Sequence, residues 1–137
     1  MSIELLFVEP LDYTVYGLRV VKVDGEEYAV ADNDEQADSA ALTAARESLW
    51  AFSSVYLSRF LGLSMNQQKA IEKMQSELCE DAQEIIALLL GDRIDELLED
   101  AVETDGRGHF LSTYDGEEAY GEDLNPALAE KLIYRIN

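Results

Sequence analysis

The chain has 137 residues and a formal net charge of −19 at pH 7, from 29 acidic side chains against 10 lysines and arginines. A surface this acidic repels nucleic acid and anionic membranes and attracts basic proteins from a distance, so direct DNA or RNA binding is disfavoured. The apolar fraction of 47% supplies a core for one domain over residues 1–137, and no apolar run reaches the roughly 20 residues that span a bilayer.

Residues 3–8 read as a short strand stopped by Glu9-Pro10. Residues 13–23 and 26–31 flank Asp24-Gly25, a pair that favours the type I′ turn, so a β-hairpin is expected. Asn33 followed by Gln36 has the form of a helix N-cap with its reciprocal partner. Leu42, Ala45, Leu49, Phe52, Tyr56, Phe60 and Leu63 then recur at steps of three or four. That spacing places them on one face of a long helix, widened by Trp50 and Leu57 and ended by Gly62. Ser64 and Gln67 repeat the capping pattern for a second helix, with Ile71, Met74, Leu78, Ala82, Ile85 and Leu89 inward and Ile86 and Leu90 beside them. Gly91 interrupts, and Asp92 caps a third helix that turns Ile94, Leu97, Leu98, Ala101 and Val102 inward. Past Gly106, aromatic and β-branched residues around Asp115-Gly116 predict a second, shorter hairpin or turn. Asn125-Pro126 starts a short helix, and residues 132–136 form a strand that pairs with the N-terminal hairpin. The fold class is therefore α+β: an antiparallel long-helix pair plus a third helix, with a small, mostly antiparallel sheet from the N-terminal hairpin and the C-terminal strand.

The start Met-Ser-Ile-Glu-Leu-Leu lacks the basic segment of a signal peptide, which leads to the expectation of a cytoplasmic protein. Cys79 is the single cysteine, so no intrachain disulfide or multi-cysteine metal site can form, and a buried, inert thiol is expected. His109, the single histidine, would be the base for Ser112 or Cys79 in a nucleophilic site. No Gly-x-Ser-x-Gly elbow accompanies it, and the preferred reading places His109 at a strand start just past a helix end. Gly106-Arg107-Gly108 follows a helix instead of opening one and sits beside the acids of residues 99–105, so it is a poor phosphate cradle. Asp32-Asn-Asp-Glu-Gln-Ala37 begins like a calcium loop, but Ala37 and Thr43 occupy the positions that need glycine and glutamate. No catalytic residue, metal or cofactor is assigned.

The acids are concentrated. Residues 24–38 hold seven acids and no base, residues 80–105 hold ten acids and only Arg93, and residues 115–123 add five more. Along the third helix Asp92, Glu96, Glu99 and Glu103 recur at steps of four, three and four, with Asp95 and Asp100 adjoining. Neighbours at such steps lie about 5–6 Å apart, a spacing comparable to that of phosphates along a nucleic-acid strand. The helix also ends in acids, where its macrodipole favours cations. Asp92, Asp95, Glu96, Glu99, Asp100 and Glu103, extended by Glu117 and Glu118, are the candidate partner-binding residues.

At Glu47-Ser-Leu-Trp-Ala-Phe52, at Asp105-Gly-Arg-Gly-His-Phe-Leu-Ser-Thr-Tyr-Asp-Gly-Glu-Glu118 and at Ile133-Tyr-Arg-Ile-Asn137, the chain resembles a group of small acidic proteins encoded by tailed bacteriophages and prophages. The resemblance spans roughly residues 33–137. It implies an intracellular phage accessory protein, a setting in which small acidic non-enzymes often inhibit host proteins, including restriction and CRISPR machinery. It carries over no functional residue. The leading expectation is a non-enzyme that binds and inhibits a basic host protein through a DNA-mimic-like surface. The alternatives are an enzyme using the His109 loop with Arg107 as an anion clamp, and an oligomeric structural module.

Overall fold

The computed structural model describes residues 7–137, so residues 3–6 of the strand expected over 3–8 lie outside the described residues. The fold is α+β, as expected. The described residues form two compact units, one made of the chain up to Ala44 together with Ala101–Asn137, the other Ala45–Asp100.

The first unit is built on an antiparallel sheet. Strands β1 (Val8–Val15), β2 (Leu18–Val23) and β3 (Glu26–Ala31) follow one another through two tight turns. Asp24 and Gly25 have φ of 51° and 80°, the paired positive values of a type I′ turn. Tyr16 and Gly17 do the same at 49° and 83°, which splits the single strand expected over residues 13–23 into β1 and β2. Nor does Glu9-Pro10 stop a strand: Pro10 lies within β1, an edge strand, opposite Val21 and next to a bulge. An edge position spares proline the donor it lacks. The C-terminal strand β5 (Leu132–Arg135) pairs with β3, as expected, and on its other side with the two-residue β4 (Ala119–Tyr120), giving the order β1-β2-β3-β5-β4.

Strict alternation along these strands buries both faces. Leu18, Ala29, Ala31, Leu132 and Tyr134 face one layer, formed by Ala37, Ala40, Ala41 and Ala44 of helix α1 (Asp34–Glu47) together with Leu111. Val21, Val23, Tyr28, Val30 and Ile133 face the other, closed by Leu128. Full burial of each larger aliphatic side chain contributes about 1.5–3 kcal/mol, and alanine at all four α1 positions keeps the helix close to the sheet. Helix α1 starts where Asn33 Oδ1 accepts the Gln36 N–H at 2.8 Å; Gln36 Oε1 reaches one residue past the cap, to the N–H of Asp32 at 2.7 Å.

Residues 106–118 depart most from expectation. They contain a short helix α6 (Arg107–Leu111) that was not expected, followed by the turn around Asp115-Gly116, the second of the two forms expected there. Within that helix Gly108 packs directly on the chain's own backbone: a Cβ there would sit 2.6 Å from Glu117 C and Glu118 N. Gly108 is a contact point inside a helix, not a breaker, and it carries His109 into that helix. Downstream, Asn125 caps the 3₁₀ turn Pro126–Leu128 by accepting the Ala127 N–H at 2.8 Å, as its sequence suggested.

In the second unit the long helices are segmented. The first breaks at the 3₁₀ turn Leu49–Ala51, and Ser53 caps its continuation α2 (Ser54–Leu61), accepting the Tyr56 N–H at 3.4 Å. Two glutamines satisfy the backbone groups freed by the break. Gln75 donates to the carbonyls of Trp50 and Phe52 at 3.0 and 2.6 Å, while Gln83 accepts the Trp50 N–H at 3.0 Å and donates to the Arg46 carbonyl. Gly62 ends α2 in the left-handed conformation, and the capping box of Ser64 and Gln67 starts α3 (Met65–Leu78), which packs against α2.

The second helix breaks at the 3₁₀ turn Cys79–Ala82, resumes as α4 (Gln83–Leu90), breaks again at Gly91–Arg93 and ends as α5 (Ile94–Asp105). Cys79 has φ 50° and ψ −124°, almost the same as Gly91 at 53° and −128°. Its thiol is exposed, contrary to the expected buried thiol, because the left-handed residue marks the end of α3 and no core covers it. The inward face of α4 is also turned. Ile86 and Leu90 are buried, whereas Ile85 and Leu89, expected inside, are 39% and 51% exposed. In α5 the expected Leu97, Leu98 and Ala101 are buried.

Candidate functional site

Helix α5 presents its acids to solvent. Asp92, expected as its cap, sits within the preceding turn Gly91–Arg93, and with Asp95, Glu96, Glu99, Asp100 and Glu103 it is exposed. Packing explains the arrangement: Leu97, Leu98 and Ala101 point inward, so the intervening positions must point out. Three of these acids have local partners. Asp95 pairs with Arg46 at 3.1 Å, Glu96 with Arg93 at 3.5 Å, and Asp100 accepts the Tyr56 hydroxyl at 2.6 Å. Among the described residues Asp92, Glu99 and Glu103 make no ion pair. Asp95 and Glu96 stand in the first turn, where the macrodipole favours them, but the last turn holds no base.

Glu117 and Glu118 are separated from that set by chemistry. Glu117 is exposed, with its backbone N–H donating to Asp115 at 3.0 Å. Glu118 instead engages Arg107, its two oxygens accepting from Nε and Nη2 at 2.8 and 3.1 Å, and it also accepts the hydroxyl of the fully buried Tyr134. Arg107 continues to Asp34 and Asp38, each at 3.1 Å, with its side chain only 19% exposed. Burial alone would lower the proton affinity of Arg107, but the hydrogen bonds and charge of Glu118 outweigh it and hold the guanidinium above its ordinary value. For Tyr134, burial and then the bond to Glu118 both push the phenol up. Arg107 thus ties α1, α6 and the 116–118 loop together, and its fork is fully used inside the chain. The sequence offered no sign of Asp34 and Asp38 as its partners, because they lie about seventy residues away.

Beside this cluster is an open cleft of about 450 Å³, lined among others by Asp32, Arg107, Glu118, Tyr120, Glu130 and Lys131. Lys131 pairs with Asp32 at 3.4 Å, so both cations of the cleft already have carboxylate partners. The remaining side chains of the loop have structural contacts. Ser112 Oγ lies 2.7 Å from both Asp115 Oδ1 and the Arg135 carbonyl. The exposed His109 stacks edge-on against Phe110. Among the described residues no group of three or more His, Cys, Asp or Glu is placed to hold a metal ion, and no helix is long and apolar enough to cross a membrane. Compared with known proteins, the chain matches no family, no curated protein and no solved structure.

Proposed function

We propose that the chain is a non-catalytic protein that binds a basic, nucleic-acid-handling protein of a host cell and blocks it, presenting the carboxylates of α5 where phosphates would lie. The observation that carries this reading is the state of Glu99 and Glu103. Both are exposed and neither makes an ion pair among the described residues; Glu103 stands in a last turn that holds no base, and Glu99 lies one turn before it. A carboxylate in the last turn, as Glu103 is, opposes the macrodipole by about 0.3–1 kcal/mol, a cost that a cation from a partner would relieve. In the phage setting that the sequence resemblance implies, restriction and CRISPR effectors are the partners of this kind.

The test is capture from host lysate with the wild-type chain and with an E96Q/E99Q/E103Q variant, at low and high salt, followed by competition with duplex DNA. The captured protein should be released by salt and by DNA, and retained poorly by the variant. Retention that ignores all three would remove the proposal.

A further inference from the structure

The α4 face that turns away from the core forms an apolar stripe. Ile85, Leu88 and Leu89 occupy positions i, i+3 and i+4 of the helix, the spacing that puts side chains side by side. They are 39%, 81% and 51% exposed, while Ile86 and Leu90 on the opposite side are 1% and 3% exposed. A leucine four-fifths in water is unremarkable alone; three large aliphatic side chains on one turn of one helix are a patch. Its surroundings are acidic. Glu84 precedes Leu88 by four residues within α4, Asp81 and Asp92 stand in the turns that flank the helix, and all three carboxylates are exposed without an ion pair among the described residues.

We infer that this face is a docking surface for a basic amphipathic helix of the partner, whose apolar side would cover Ile85, Leu88 and Leu89 while its lysines or arginines meet Asp81, Glu84 and Asp92. Charge complementarity selects this occupant. A second copy of the chain would bring the same rim of carboxylates against itself in a molecule of net charge −19, and like charges across an interface oppose association. An anionic membrane is repelled on the same ground. The inference rests on the reading of the protein as a binder of basic proteins and adds to it an apolar anchor, which supplies what charge alone does not: discrimination between equally basic partners.

The experiment uses two synthetic peptides of identical lysine and leucine content and about 18 residues, roughly five helical turns. One places its leucines at i, i+3, i+4 and i+7; the other has the same residues scrambled. Binding to the full chain is measured by calorimetry at two salt concentrations, with L88S and L88S/L89S variants checked for fold by circular dichroism. The amphipathic isomer should bind at least tenfold more tightly than the scrambled one, and that ratio should collapse in L88S/L89S. Salt sensitivity of both isomers reports the charge reading, whereas their ratio reports the apolar face, so the two ideas fail separately. Equal binding of the isomers, or a ratio unchanged in L88S/L89S, overturns the inference. So does a dimer in sedimentation equilibrium that L88S dissociates, because the occupant is then a second copy.

Discussion

Replacing Cys79 with glycine should stabilise the protein. Cys79 holds φ 50° and ψ −124°, a region that side chains with a Cβ rarely enter, and Gly91 holds nearly the same angles at the next break of the helical run. Such a conformation costs a non-glycine residue about 1–3 kcal/mol. Glycine adopts it freely but loses about 0.5–1 kcal/mol more chain entropy on folding. The thiol adds little in return, because it is exposed and its contact with the Ser76 carbonyl is long, at 3.7 Å. The balance favours C79G by about 1 kcal/mol. Gly91→Ala is the converse: a Cβ there meets no atom within 4 Å, so the loss is backbone strain of about 1–3 kcal/mol, offset by about 0.5–1 kcal/mol of the chain entropy that glycine would have lost. Urea unfolding followed by far-UV circular dichroism measures both. With a slope of about 1–3 kcal/mol per molar, the C79G midpoint should rise by about 0.5 M and the G91A midpoint should fall. A C79G midpoint at or below wild type, beside a neutral G91A, would refute the reasoning.

Gly108→Ala should lower the urea midpoint by the equivalent of about 1–3 kcal/mol, since its Cβ would press to 2.6 Å on backbone that cannot move aside cheaply. Burial and then a carboxylate hydrogen bond push Tyr28 up to about 12 and Tyr134 higher still, each from an ordinary 10.0. Their stabilisation is present below pH 10 and is lost as pH rises through the folded values, so Y134F should unfold less steeply with pH on the alkaline side; equal steepness in both proteins would count against the Tyr134–Glu118 bond. Asp115 is held below its ordinary 3.8 by the Ser112 hydroxyl and then by the Glu117 N–H. Its contribution is present above that value and disappears as pH falls through the lowered one, so the stability gap between wild type and S112A should narrow in acid below about pH 4; a gap constant from neutral pH into acid would exclude the link.

The caps at Asn33 and Ser64 and the Asp24-Gly25 turn are legible in the sequence because each rests on local chemistry, a cap or a turn residue acting within four positions. The hidden features depend on distance or phase. Tyr16-Gly17 stands inside a β-rich stretch, where Gly17 is the single mark of the turn and its partner Tyr16 is not a residue that favours positive φ. The buried face of α4 does not continue that of α3, because the chain leaves helical geometry at Cys79, with φ 50° and ψ −124°, before α4 begins. Because residues 85–90 are apolar throughout, no polar residue marks which side of α4 faces solvent. At the candidate site, the exposed acids of α5 followed from periodicity. The commitment of Glu118 to Arg107 and Tyr134 did not, since it depends on a long-range fold around Gly108.

The position of β5 in the sheet makes its pairing with β3 a long-range one. About one hundred residues separate β3 from β5, which pair directly, so closing that loop from an open chain is slow. The Arg46–Asp95 pair joins the two ends of the helical unit within that loop. Once that unit has formed, the loop left to close is about half as long, which lowers its closure entropy by about 0.6 kcal/mol. Until β5 arrives, the free edge of β3 is where the chain is open to mispairing with its neighbours.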